Sequence, residues 1–119
     1  MMNINSFESD RDFKVWEYTV SMGLLLLRSV RGQSHATQVD LLFRVTSFVC
    51  LSTESAGLIV RTATPDEIEQ FVREHGPVEE GSTLFRLNAS EWVAARSLRA
   101  AETEDEYFAP SPLMADYSL

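Results

Sequence analysis

The chain has 119 residues, of which 45% are apolar and 24% are charged, and its formal net charge is −8. This size and composition are typical of one globular domain around a single core, and they exclude a disordered chain. Residues 1–60 hold six acids and five bases, whereas residues 61–119 hold twelve acids and five bases. Because nucleic-acid affinity comes largely from clustered lysine and arginine, the charge argues against nucleic-acid binding.

The apolar stretches are too short for a membrane-spanning helix, which needs about 20 residues. Residues 22–27 are interrupted by Gly23 and followed by Arg28. The first twelve residues are acidic and amide-rich, unlike a secretory signal, and Cys50 is the only cysteine, so no internal disulfide is expected. The sequence predicts a cytoplasmic protein that does not bind membranes.

Residues 13–21 predict a first strand, because Trp16, Tyr18 and Val20 recur with a period of two among β-branched neighbours. Gly23 then predicts a tight turn. The four leucines at 24–27 predict a second strand that is apolar on both faces. One long helix over 13–31 is the competing interpretation, and Gly23 among β-branched residues disfavours it.

The polar residues 31–37 predict a loop, and residues 38–51 predict a third strand that is long enough to bend. Residues 52–57 predict a turn before a fourth strand at 58–63. The sequence Thr64-Pro-Asp-Glu67 predicts a capping box, with the helix running from 65 to 75. Its apolar stripe of Ile68, Phe71 and Val72 is expected to lie on the sheet.

Residues 83–87 predict another strand, and residues 92–99 are ambiguous between helix propensity and strand pairing, of which we choose the strand. The sequence therefore predicts an α+β domain. A mainly antiparallel, curled sheet of about five or six strands carries one amphipathic helix. We expect a flexible N-terminus at 1–12, a globular core at 13–101 and an acidic, proline-containing tail at 102–119.

No motif predicts catalysis, a metal or a cofactor. His35 and His75 are not at a metal-ligand spacing, and Cys50 is expected to be buried packing. Acidic residues at 66, 67 and 69 are typical of a first helical turn. The sequence thus favours a non-enzymatic role.

Arginine accounts for all but one of the ten basic residues, and several arginines lie on or beside predicted strands. If they converge, they would bind a carboxylate or phosphate, since guanidinium holds both groups bidentately. The candidate ligand-binding residues are Arg28, Arg44, Arg61 and His35. The competing interpretation is a set of salt bridges to acids such as Asp40 and Glu17.

Aromatic residues near the C-terminus are candidates for a partner-binding surface, because aromatic residues are enriched at interface hot spots. Prolines in the tail limit how these residues could be buried within the fold. The candidate partner-binding residues are Trp92, Tyr107, Phe108 and Tyr117. For Trp92, packing in the core is the stronger alternative.

Residues 16–29, Trp-Glu-Tyr-Thr-Val-Ser-Met-Gly-Leu-Leu-Leu-Leu-Arg-Ser, and residues 39–44, Val-Asp-Leu-Leu-Phe-Arg, resemble a group of small bacterial proteins of unassigned function. In size and acidity the chain also resembles the immunity proteins with which bacteria neutralise toxins. The resemblance to the small bacterial proteins covers about the first half of the chain, and the likeness to immunity proteins implies no particular functional residue.

The sequence leads to three hypotheses about function. The first is a protein-interaction module that binds a basic partner, which an immunity-like inhibitor would exemplify. The second is a protein or enzyme that binds an anionic small molecule in an arginine-lined pocket. The third is a homodimer built through a sheet edge or the tail.

Overall fold

A computed structural model of the chain describes residues 2–32, 34–104 and 109–117. The fold is α+β with an antiparallel sheet and one α-helix, as predicted, but the prediction of five or six strands was wrong because the described residues form eight. The elements are β1 (Phe7–Thr19), β2 (Leu24–Ser29), β3 (Gln38–Arg44), β4 (Phe48–Cys50), β5 (Glu54–Thr62), α1 (Pro65–His75), β6 (Thr83–Leu87), β7 (Glu91–Ala95), β8 (Ser97–Thr103) and a 3₁₀ helix (Pro112–Tyr117).

The larger number of strands comes from two bends. Val45 takes a positive φ of 51° between β3 and β4, and Arg96 separates β7 from β8. Pairing continues across both bends, since Arg96 N donates to Arg44 O at 2.9 Å and Ser47 N donates to Ala94 O at 2.8 Å. A β-branched residue such as Val45 rarely adopts positive φ, so the residue type at this position does not indicate the bend between β3 and β4.

The sheet order is β4-β7-β6-β5-β1-β2-β3-β8. The two end strands of this order are not remote from each other, because β4 continues β3 and β8 continues β7 through the bends. The sheet therefore curls around and closes on itself. The inner face of a closed sheet is filled by apolar side chains, whereas parts of its outer face can remain in contact with water.

The four leucines of β2 alternate between the two faces of the sheet. Leu25 and Leu27 point inward and belong to the main core, whose other members include Phe13, Leu41, Phe43, Phe85 and Val93. Leu24 and Leu26 point outward and are covered by Leu113 of the 3₁₀ helix, with Trp16 and Met114 alongside. A strand that is buried on both sides explains the uninterrupted apolar run.

The helix α1 begins at the predicted capping box. Glu67 N donates to Thr64 Oγ1 at 3.2 Å, and Thr64 N donates to Glu67 Oε1 at 2.9 Å. Of the predicted apolar stripe only Phe71 is buried, whereas Ile68 and Val72 are exposed. The outer wall of a closed sheet is convex, so a helix lying on it makes contact along a narrow line.

Both ends of the chain add to the sheet. The first strand begins at Phe7, so residues 7–12, assigned above to a flexible N-terminus, are strand. Ile4 bridges to Leu98, with Ile4 N donating to Leu98 O at 2.8 Å. The strand predicted at 92–99 is confirmed as β7 and the start of β8.

Candidate functional site

One end of the closed sheet is filled by polar side chains, which we call the polar end. Arg11 projects from β1 and is buried there. Its Nε donates to Ser29 Oγ at 3.0 Å, and its Nη1 donates to Thr37 Oγ1 at 3.0 Å. Thr37 Oγ1 in turn donates to Glu102 Oε2 at 2.5 Å. These bonds join β1, β2, β8 and the start of β3 across the opening.

A cavity of about 340 Å³ lies beside Arg11, between β1 and the loop that follows β2. Its lining includes His35, the exposed carboxylates Asp10 and Asp12, and Gly32. The Arg11 donors are bound to Ser29 and Thr37, and the two carboxylates outnumber the single guanidinium at the cavity. Its electrostatic character is thus not that of an anion site.

Arg28 forms an ion pair with Asp40 inside the protein. Its Nε lies 2.7 Å from Asp40 Oδ1 and its Nη2 lies 3.0 Å from Asp40 Oδ2. The two side chains are 1% and 2% exposed, and the guanidinium stacks over Trp16 at 5.0 Å from the ring centroid. A bidentate pair this deeply buried holds β2 to β3 on the outer face of the sheet.

Arg61 is also engaged, with a carboxylate of α1. Its Nη1 lies 2.6 Å from Glu67 Oε1 and its Nη2 lies 2.9 Å from Glu67 Oε2. The hydrogen bond from Arg61, together with that from the Thr64 backbone, lowers the pKa of Glu67 to about 2. The same pairing raises the pKa of Arg61. The first turn of the helix is thereby fixed to β5.

The predicted ligand-binding residues thus occupy separate places. Arg28 lies on β2 against Asp40, Arg44 ends β3 beside the bend, and Arg61 lies under the start of α1. His35 alone lines the cavity at the polar end. The arginines do not converge on one another, and the alternative of internal salt bridges describes Arg28 and Arg61.

The predicted partner-binding residues are only partly described. Trp92 is buried beneath α1, where its ring lies 5.4 Å from that of Phe71, measured between centroids. The guanidinium of Arg86 stacks on the Trp92 ring, with Cζ 3.8 Å from the ring centroid. Tyr107 and Phe108 lie outside the described residues. The backbone of Tyr117 ends the 3₁₀ helix, and its side chain is not described.

The opposite end of the sheet is open and apolar. A groove of about 270 Å³, which we call the apolar groove, is lined by Val15, Tyr18, Leu25, Ser47, Phe48 and Val49. Tyr18 is 45% exposed and Val49 is 40% exposed. Sequence reasoning missed this site because inward-facing apolar residues at the end of a strand have the same alternation as core residues.

Cys50 follows Val49 at this end of β4. It is exposed and not buried, contrary to the prediction. The three-residue strand β4 stands at one end of the sheet order and pairs with β7. No group of three or more His, Cys, Asp or Glu side chains within the described ranges is placed to hold a metal ion.

Within residues 2–32, 34–104 and 109–117 no helix has the length and apolar character needed to cross a membrane. Comparison of the chain with models of protein families, with curated proteins and with solved structures finds no match in any of the three. The inference of function therefore depends on the geometry and charge of the described residues.

Proposed function

We propose that the protein is a non-enzymatic interaction module that binds a partner protein with a basic surface, as an immunity-like inhibitor would. The observation that carries this proposal is the separation of charge in the fold. Arg11, Arg28 and Arg86 are buried, and Arg61 is bound to Glu67. Most carboxylates remain in water: Glu8, Asp10, Asp12, Glu17, Glu54, Asp66, Glu69, Glu74, Glu79, Glu80, Glu102 and Glu104 are exposed.

Among the described residues the twelve exposed carboxylates outnumber the four exposed bases, which are Lys14, Arg31, Arg73 and Arg96, so the outer surface is negative. A surface of one sign attracts a partner of the opposite sign and accelerates the encounter between them. The main core is filled by apolar side chains, which supports binding at the surface. A single unpaired cysteine suits a reducing compartment, so we place the module in the cytoplasm.

We do not extend the proposal to an anionic small molecule. Such a ligand would need free guanidinium groups, and those of Arg28 and Arg61 already bind carboxylates of this chain. An added anion would have to displace Asp40 or Glu67. For Arg28 this would leave Asp40 charged and unpaired in a buried position, which is costly.

The test is affinity capture with the purified protein, from an extract of the organism that encodes it. A captured protein is then purified, and its binding is measured by titration calorimetry at low and high ionic strength. We expect a basic partner and a dissociation constant that rises steeply with salt. Capture of nothing but the protein itself, or binding that salt does not change, contradicts the proposal.

A pair of matched variants locates the contact. Glu69→Gln/Glu79→Gln/Glu80→Gln removes three exposed charges from α1 and the segment after it, in the acidic second half of the chain. Glu8→Gln/Asp10→Asn/Asp12→Asn removes three exposed charges from β1 and serves as the control. We expect the first variant to weaken binding about tenfold and the second to weaken it less.

A further inference from the structure

We propose that the apolar groove binds a short extended segment of the partner protein, which inserts a bulky apolar side chain and carries basic flanking residues. This inference deepens the proposed function and rests on it. It assigns a site and a binding mode, in which main-chain pairing adds to the burial of the inserted side chain.

The edges of the groove are strand edges, and they determine the shape of the occupant. β1 pairs with β2 as far as Thr19 but with β5 only as far as Lys14. β4 pairs with β7, and its other edge has no partner among the named strands. Two strand edges therefore flank the groove, and such edges accept an extended backbone.

The strand at the other end of the sheet order, β8, has its outer edge covered by another segment of this chain. β8 pairs with β3 on one side and is bridged by Ile4 on the other. Arg99 Nε also donates to Asn3 Oδ1 at 3.0 Å, which holds the N-terminal residues against β8. No described residue does the same for β4, so the described part of the chain leaves the edge beside the apolar groove without a paired strand.

The length of the groove limits the occupant to a few residues. At one end Val15 N donates to Thr53 O at 2.8 Å, and at the other Thr46 N donates to Gly23 O at 2.9 Å. These main-chain bonds close both ends, so a long strand cannot lie inside. A volume of about 270 Å³ instead suits one bulky side chain, with its neighbours resting on the rim.

The side chains that line the apolar groove, and the charged residues next to them, indicate which residue types the bound segment contains. Val15, Leu25 and Val49 form an apolar floor, and Tyr18 supplies the kind of aromatic contact that dominates interface energies. The exposed Glu17 precedes Tyr18 in the chain, and the exposed Glu54 lies 3.5 Å from Lys14, the residue before Val15. With the net charge of −8, this favours basic residues on either side of the apolar anchor.

A short synthetic peptide of alternating lysine and isoleucine, with phenylalanine at its centre, is the probe. Because Cys50 is the only cysteine and is exposed near the groove, a thiol-linked dye at this position reports binding. Hydrogen exchange, measured separately on unlabelled protein, reports the main-chain contact. We expect saturable binding and slower exchange in residues 17–19 and 48–50, and neither with a peptide whose flanking isoleucines are replaced by proline.

The matched variants are Val49→Glu inside the groove and Ile59→Glu outside it. The two side chains are 40% and 47% exposed, so both substitutions add the same charge to a similarly exposed apolar position. Val49→Glu should weaken binding of the peptide about tenfold or more, and Ile59→Glu should change it less than about twofold. Chemical denaturation confirms that both variants are folded.

Several outcomes overturn the inference. These are the absence of saturable binding, equal weakening by both variants, and protection from exchange outside the two segments. Doubled mass in solution that Val49→Glu abolishes would identify a second copy as the occupant. If a basic partner binds with strong salt dependence while Val49→Glu has no effect on it, the proposed function stands and this inference fails.

Discussion

The two ends of the closed sheet are built from the same strands and differ in what holds them. β1 contributes Arg11 to the polar end and Tyr18 to the apolar groove. At the polar end, side chains bridge the opening through hydrogen bonds. At the groove only main-chain bonds close the margins, and apolar side chains face water. Stability can thus be concentrated at one end of a closed sheet, which leaves the other end free to bind.

The largest effect should follow a change at the polar end. Arg28 precedes Ser29 on β2, so its ion pair reinforces the outside of that end. Arg28→Met leaves Asp40 charged and unpaired at 2% exposure, which should lower the free energy of unfolding by about 3 to 5 kcal/mol. Urea denaturation followed by tryptophan fluorescence measures this loss.

The double variant Arg28→Met/Asp40→Leu is its control. Replacing both partners with apolar residues removes the buried charge, so the double variant should recover most of the lost stability. If it is as unstable as Arg28→Met alone, packing around Trp16 and not the unpaired carboxylate accounts for the loss.

A smaller effect should follow a change in the turn that closes the groove. Gly23 has φ +63°, and a Cβ added there would lie 2.8 Å from Thr46 N. Gly23→Ala should therefore cost about 2 kcal/mol. Gly32, which lines the cavity at the polar end, has no atom within 4 Å of an added Cβ. Gly32→Ala should change stability by less than about 0.5 kcal/mol, and equal losses would contradict the close contact at Gly23.

The smallest effect on stability is expected at the ion pair between Arg61 of β5 and Glu67 of α1. The pKa of Glu67 is about 2 in the folded protein and about 4.3 when unfolded. A lowered carboxyl pKa stabilises the fold above the unfolded value, and this contribution is lost as pH falls toward 2. Because Arg61 is 44% exposed and therefore screened by solvent, we expect about 1 kcal/mol.

Glu67→Gln should accordingly be less stable at pH 7 by about this amount, and its stability should fall less steeply between about pH 5 and pH 2. Denaturation series across this range provide the measurement. Glu69→Gln changes an exposed carboxylate on the same helix and should leave the pH dependence close to that of the unmodified chain. Parallel pH profiles for Glu67→Gln and the unmodified chain would refute the role of Glu67.

Local patterns in the sequence were sufficient for most of the fold. The capping box at Thr64 and Glu67 fixed the start of α1, and the leucine run predicted a strand covered on both faces. The position of the bend at Val45 and the early start of β1 were not predictable in this way. Both depend on distant partners, since Ala94 pairs across the bend and Val60 pairs with Phe7.

The candidate sites were harder to predict than the fold. A pairing such as Arg28 with Asp40 requires knowledge of the strand register, and sequence position alone left salt bridges and a ligand pocket equally open. The apolar groove depends on where pairing stops along β1. A local signal existed for Arg11, because it falls between Phe7 and Phe13 in an alternating strand, but the surrounding acids concealed it.

The bridge between Ile4 and Leu98 has a consequence for how the chain folds. Arg99 and Asn3 are joined across 96 positions of sequence, so the segment around Asn3 cannot reach its place in the fold before β8 is available. Contacts of such long range impose a large loop-closure cost and slow the folding of sheet proteins. The β1–β2 hairpin can form locally, but its outward-facing leucines Leu24 and Leu26 remain uncovered until Leu113 of the 3₁₀ helix packs on them. A partly folded chain that exposes these leucines is prone to aggregation.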